Sequence, residues 1–551
     1  MLALGFAPQG GAAWFTDVTE RALPGVEITC GGAEKDWILA VNGGSVALAD
    51  LDLDGDLDLV VGDGGDVEAY RRGEPGPAPR VYLNRGDGTF SAGEGAWALA
   101  RGAAASFGAG LALGDLDGDG FDDLVALGLG PDRVFLNVRG EGLREVAPLP
   151  LSAGWSTSGA LLDFDHDGVL DLAVTGYLAP ELDEARRRSA RWKGHAVMAG
   201  PQGLIPLHDR LYRGLGDGTF EDVSVAAGLR PDAAGYGLGV TTVDLDRDGW
   251  TDLYVANDST PNQLWRNRGD GTFEELGFRL GLSHDASGRE QAGMGIAVDD
   301  DAGMLFVTNF SGETNVLYAR TASGRSFRER SARAGLAGPS LARLGWGTGF
   351  ADFDLDGDQD LFVLNGHVYP EADRAGTDTA YAQPDQLFER IGERFVERDA
   401  LGGAARVSRA GTCGDLDGDG DVDLVATVVD GPVRILRNDA PRAAGAAWLR
   451  VRPARGARAR AVGARVVLKR GEESQVRELR TAGGFQAGLP LEAYFGIPAA
   501  SEGRDAALDL EVHWPGGGVT TVRGATPCTV VEVGPPKSDT RGSSPREGAP
   551  R

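Results

Sequence analysis

FGAGLALGDLDGDGFDDLVAL, residues 107–127, is the stretch on which the reading of the whole chain turns. A Gly-rich apolar run ends at Gly114, and a second apolar run begins at Leu124. Between them Asp115, Asp117, Asp119 and Asp123 occupy positions one, three, five and nine of a nine-residue loop. Two strands joined by a short polar loop make a hairpin. Gly120 stands at position six, where a sharp turn needs a permissive backbone.

The same string, D-x-D-x-D-G-x-x-D, begins at Asp50, Asp115, Asp163, Asp244, Asp352 and Asp415, with a damaged copy at Asp299 (DDDAGM). Successive starts lie 48 to 81 residues apart. A second landmark follows: VYLNRGDGTF at 81–90, LYRGLGDGTF at 211–220 and LWRNRGDGTF at 264–273. Its Gly-Asp-Gly core is a tight-turn signal between two further strands. Each repeat therefore supplies about four strands, and no strong helical period interrupts them. Repetition of this kind predicts an all-β, seven-bladed β-propeller over 13–442, a fold that removes long exposed edges by closing radially. The seventh repeat stops at RILRND (434–439), whereas FTDVTERAL after Trp14 resembles the ends of the other repeats. The N-terminal segment is therefore expected to complete the last blade.

Four carboxylates a few ångströms apart repel strongly. A hard divalent cation resolves that, and calcium tolerates an irregular shell of six to eight oxygens. The expected ligands are Asp50, Asp52, Asp54 and Asp58; Asp115, Asp117, Asp119 and Asp123; Asp163, Asp165, Asp167 and Asp171; Asp244, Asp246, Asp248 and Asp252; Asp352, Asp354, Asp356 and Asp360; and Asp415, Asp417, Asp419 and Asp423. That predicts about six calcium ions, and none at the damaged Asp299 loop. The loops are not EF-hands, which need Glu at position twelve. Here that position is Val61, Ala126, Val174, Val255, Val363 or Ala426, inside the next strand.

The chain has 551 residues, with Asp+Glu 82 against Lys+Arg 54 and a formal net charge of -28. A nucleic-acid partner is excluded on that balance, because phosphates would be repelled. The acidity belongs mostly to the loops. Three cysteines rule out a disulfide-stapled scaffold, and no apolar run is long enough for a membrane span. Residues 1–12 read as an incomplete signal segment or a displaced start.

Composition changes after Pro441. Segments such as WLRVRP, GARVVLKRG and LDLEVHWPGG read as short strands, so 443–534 is expected to form a small β-sandwich or barrel. Its arginines are expected to be scattered and solvated, with docking of a basic face on the acidic ring as the alternative. The tail 535–551 has the composition of a disordered segment.

The hairpin at 107–127 resembles the FG-GAP/VCBS repeat of integrin-α-type propellers. WLRVRP…AVGARVVLKRG…QVRELRTAGGFQAG…AYFGI…VHWPGGG resembles the ASPIC/UnbV module. With YVANDSTPNQLWRN (254–267) and NGHVYPE (365–371), the chain resembles the family of cartilage acidic protein and its bacterial relatives. That resemblance implies a secreted or envelope calcium-binding propeller, mostly of unassigned biochemical role. The function expected first is a non-enzymatic, calcium-stabilised scaffold for a protein or glycan, secreted, periplasmic or at the cell surface. The chain departs from the family pattern at AGPQGL (199–204), at ARAR (457–460) and at Gly483-Gly484-Phe485, so polar roles of those family positions do not carry over.

No metalloprotease, nucleophile-elbow or phosphate-loop motif is present. Two insertions, 176–209 and 366–384, are either simple covering loops or the places where binding would sit on a rigid ring. ELDEARRRSARWK (181–193) in the first is a candidate short surface helix. His195, His208 and His367, with Arg191 and Tyr369, lie in or near the insertions. They suggest the alternative function, a calcium-dependent, polysaccharide-lyase-like enzyme. His166, inside an acidic loop, is expected to face solvent, and the tryptophans are expected to pack between blades.

Overall fold

The computed structural model describes residues 13–102, 104, 106–150, 154–179, 189–230, 234–398, 401–499 and 507–536. The suggested signal segment and nearly all of the suggested disordered tail lie outside the described residues. So does most of the suggested helix at 181–193. Its described end, Ala190–Trp192, is a strand paired with His195–Val197, not a helix.

Seven sheets, each with four antiparallel strands, make up the ring, and two further strands join the first of them. In the first, Ser45–Ala49 pairs with Asp58–Gly62, then Arg80–Asn84, then Phe90–Ala92. Every intact acidic loop joins the first two strands in the same register, with residue minus one opposite residue nine. The pairs are Ala49↔Asp58, Gly114↔Asp123, Leu162↔Asp171, Val243↔Asp252, Ala351↔Asp360 and Gly414↔Asp423. Consecutive first strands pack side by side, and Ser408–Gly414 packs on Ser45–Ala49, so the ring closes. The closing blade takes its outer strand from the N-terminal segment, as its sequence predicts: Phe15–Asp17 pairs with 436–438. Apolar clusters between neighbouring sheets hold the blades together, such as Phe164, Leu253, Trp265 and Phe273.

The C-terminal module is a sandwich. One sheet has Ala447–Pro453 between Ala493–Ile497 and Thr529–Val533; the other orders Glu473–Glu478, Arg465–Arg470, Leu508–His513 and Val519–Ala525. Leu449, Val466, Phe495, Leu510 and Trp514 share one core that continues into Leu116 and Leu136 of the second blade.

The expectation of scattered, solvated arginines on the module is corrected by this packing. The module lies on the acidic-loop face of the ring. Arg458 is buried in an ion pair with Asp122, its Nε 2.9 Å from Oδ1. Arg455 stacks over Phe121, 4.1 Å from the ring centre, and Arg480 holds Asp300 at 2.7 and 3.0 Å. Glycines at loop position six make the close approach possible: a Cβ on Gly420 would lie 1.8 Å from the Trp448 indole.

A segment of the module, 481–490, continues into the middle of the ring. Ala487 and Gly488 pair in parallel with Val46 and Ala47, and Gly484 bridges Ile296. Thr241 and Thr412 donate to the carbonyls of Ala482 and Gly488 at 2.9 Å each. Phe485, fully buried, meets Trp346 edge-on at 4.7 Å. The segment plugs the axis from the loop side.

Candidate metal centres on the ring

Each intact loop is built by its own carboxylates. Oδ2 of the first Asp accepts from the amide of the sixth-position Gly at 2.9–3.2 Å in all six. Those glycines have φ between +88° and +107°, so the expectation of a permissive residue there holds. The fifth Asp accepts from the amide two residues on, at 2.9–3.1 Å.

The ninth Asp has a second role that sequence reasoning missed. Its Oδ2 accepts from the amide of position two at 2.7–3.3 Å. Its Oδ1 accepts at 2.7–2.9 Å from an amide of the third strand: Asn84, Asn137, Gly214, Asn267, Arg390 or Asn438. One carboxylate thus ties the loop to the blade. Burial, only partly offset by these bonds, pushes Asp58, Asp123 and Asp171 up to about 8, and Asp252, Asp360 and Asp423 well above the ordinary range.

The structure gathers first, third and ninth carboxylates at Asp50/Asp52/Asp58, Asp115/Asp117/Asp123 and Asp163/Asp165/Asp171. It gathers first, third and fifth at Asp244/Asp246/Asp248 and Asp352/Asp354/Asp356; one oxygen from each lies within 4.8 Å of the others. Oδ1 of Asp50, of Asp115 and of Asp417 is buried with no donor among the described residues. A buried anionic oxygen without a partner is costly. An all-oxygen donor set of this kind fits a hard divalent cation.

Guanidinium groups already stand beside some loops. Arg213 pairs with Asp165 at 2.7 Å, and Arg266 with Asp246 at 2.6 Å and Asp248 at 2.9 Å. From the module, Arg452 lies 3.6 Å from Asp50 and Arg450 3.5 Å from Asp415. Around the Asp115 loop, Arg139 comes only to 4.0 Å of Asp119. His166 is not solvent-facing as expected. It stacks on Trp250 of the next loop, with ring centres 3.8 Å apart.

At the damaged loop no carboxylate trio forms on the repeat pattern. Asp299, fully buried, pairs with Arg390 at 2.9 Å, and Asp300 takes Arg480.

The two insertions leave the opposite ends of their strands and lie on the face away from the acidic loops. They interlock: Lys193 pairs with Asp378, His195 Nε2 is 3.3 Å from the Ala375 carbonyl, and Trp192 packs on His367 and Tyr369. Of the candidate catalytic groups, His367 and Tyr369 are committed to this packing. His367 is fully buried; Nδ1 accepts from Tyr369 N–H at 3.0 Å and Nε2 meets Ser311 Oγ at 2.9 Å. Burial, with Arg409 and Lys193 nearby, pushes its imidazole down to about 3, and burial pushes Tyr369 up to about 12. Arg191 donates to the Gly194 carbonyl. The acidic loops sit across the ring from these groups.

Comparison with known proteins agrees with the repeats and the module. The FG-GAP-like repeat family matches residues 50–126, 115–174, 199–255 and 244–300, and the ASPIC and UnbV family matches residues 454–540. Cartilage acidic protein 1 of Xenopus tropicalis is 28% identical over 340 residues, 58% of this chain and 48% of that protein. The Homo sapiens protein of the same name is 28% identical over 335 residues, 58% of this chain and 46% of its own length. The chain thus spans about half the length of these curated relatives. Among solved structures, the Dos1 propeller aligns with a TM-score of 0.37 at 10% identity, over 75% of this chain and 96% of that one. An Agrocybe aegerita protein solved for its specific recognition of non-reducing terminal N-acetylglucosamine aligns with a TM-score of 0.37 at 16% identity, over 65% and 88%. No helix among the described residues is long and apolar enough to cross a membrane.

Proposed function

We propose that this chain of FG-GAP-like repeats, closed by an ASPIC and UnbV domain, is a calcium-stabilised, non-enzymatic binding scaffold that works outside the cytoplasm. The observation that carries the reading is the repeated loop with a buried, unpartnered carboxylate oxygen, at Asp50, Asp115 and Asp417. The first, third, fifth and ninth Asp of each intact loop would hold the ion. Its role is charge neutralisation: it binds only the closed loop and so favours the folded ring. At calcium 100 times a site's Kd, each such site contributes roughly 2.7 kcal/mol. Loops with Kd near 10⁻⁴–10⁻³ M are typical of extracellular modules, which supports a calcium-rich compartment.

With the module covering the loop face, the surface for a protein or glycan partner is the insertion face and the rim. The test is a metal count with thermal unfolding, in calcium and in a chelator. About six ions per chain and a large destabilisation on chelation are expected; no bound ion and no shift would overturn the reading. Partner binding is tested separately, by screening glycans and proteins against the calcium-loaded chain and against a variant lacking 366–384.

A further inference from the structure

A basic cleft lies between the fifth and sixth blades of this acidic chain. The cleft has a volume of about 250 Å³, with Arg320, Arg330, Arg333 and Arg390 on its walls and Glu393 as its carboxylate. Leu317 and Phe395 form part of an apolar floor. Arg320 ends the third strand of the fifth blade, Val316–Arg320. Its guanidinium sits over Phe327, donates to the Leu245 carbonyl through Nη2, and keeps a buried Nε without an acceptor. Arg330 follows the outer strand Phe327–Glu329, and its side chain has no hydrogen bond or ion pair among the described residues. Arg333 pairs with Glu393 at 2.7 Å, both well exposed, and Arg390 is turned to Asp299.

Arg320 and Arg390 are thus held in place by internal partners, Arg333 is shared with Glu393, and Arg330 presents its guanidinium to the cleft. Guanidinium forks are matched to planar or tetrahedral oxyanions, in paired, charge-assisted hydrogen bonds. The whole-chain charge of -28 repels anions at long range, so capture here must be local, within a Debye length of about 8 Å. A bare sulfate would use only part of the volume, which leaves room for the remainder of a larger ligand.

We propose that this cleft binds the sulfate or carboxylate group of an acidic saccharide. The saccharide carrier rests on the glycan half of the scaffold reading; the oxyanion site does not. The experiment is calorimetric titration of the calcium-loaded chain with glucosamine 6-sulfate, glucuronate, inorganic sulfate and neutral N-acetylglucosamine. The same titrations are run on Arg330→Ala, Arg330→Lys and the Arg330→Ala/Arg333→Ala pair, with melting curves to confirm folding. The expected result is binding of the two acidic sugars, at least tenfold weaker in Arg330→Ala and partly kept in Arg330→Lys, with the neutral sugar silent. No anion bound by the parent chain, or binding unchanged in the double variant, would overturn the cleft. Glycan binding that survives the double variant also overturns the cleft while leaving the scaffold reading intact. Inorganic sulfate bound as tightly as the sulfated sugar would remove the saccharide from the proposal.

Discussion

The Asp115 loop and the Asp299 loop occupy equivalent hairpins in one ring, yet they solve the same electrostatic problem differently. In the first, three carboxylates converge and Oδ1 of Asp115 is buried without a donor. In the second, Asp299 and Asp300 are buried or nearly so, and each is met by an arginine, Arg390 from the next blade and Arg480 from the module. Buried carboxylates need a cation in either case. The degenerate loop carries its own, whereas on the proposed reading the intact loops would take one from solution.

Chelation separates the two designs with the largest effect. Several sites of roughly 2.7 kcal/mol each rival the whole stability of a typical domain, about 5–15 kcal/mol. The melting temperature in a chelator should therefore fall by roughly 10–20 °C, read by scanning calorimetry. A chain that melts unchanged would mean the intact loops are as self-sufficient as the fifth.

Arg480→Met attacks the other side of the comparison. It leaves Asp300 near Glu478 with no cation, a loss of about 3–5 kcal/mol for a broken buried pair. Urea unfolding should show the same loss in calcium and in chelator if, as its lost carboxylates predict, this loop takes no metal. A loss that vanishes in excess calcium would place an ion at the fifth loop after all.

Acidity gives a middle-sized test. Burial pushes Asp50, Asp115, Asp163 and Asp415 up to about 6, and Asp58, Asp123 and Asp171 up to about 8. An unfolded Asp titrates near 3.9. For a carboxyl raised in the folded state, the stabilising contribution is complete below the unfolded value and is lost as pH rises through the folded one. The chelated chain should therefore melt lower at pH 8 than at pH 5.5. Calcium should cancel or reverse that slope, since binding requires the ionised form. Melting curves at the two pH values, with and without calcium, decide it.

What was legible in the sequence follows the same division. The acidic hairpins, the ring and its closure by Phe15–Asp17 were readable, because carboxylates at fixed spacing with Gly at position six describe one local geometry. Docking of the module was not. Arg450, Arg452, Arg455, Arg458, Arg477 and Arg480 are dispersed over several segments, and only the folded sandwich brings them to one face. A weak signal existed in an acid outside the repeat pattern: Asp122 at position eight meets Arg458. The axial plug, rich in Gly and Ala, carries no repeat motif, and its partners, Val46, Ala47, Thr241, Ile296, Trp346 and Thr412, lie in distant blades.

Position four of the loops yields the smallest and cleanest test. All six copies are left-handed there: Leu53, Gly118, His166, Arg247, Leu355 and Gly418 have φ between +58° and +77°. Only two are glycine, so the sequence concealed a strain that the structure exposes. A Cβ added to Gly118 or Gly418 would meet nothing within 4 Å, so only backbone energy opposes it. Gly118→Ala should cost about 1–2 kcal/mol. Leu53→Gly should change stability by less, because relief of the same strain is offset by the greater freedom of glycine in the unfolded chain. His166→Gly is a poorer probe, since it also removes the stack on Trp250. If Gly118→Ala costs nothing in calcium but about 1–2 kcal/mol in chelator, the ion itself holds position four left-handed. The intact loops would then differ from the fifth in backbone as well as in charge.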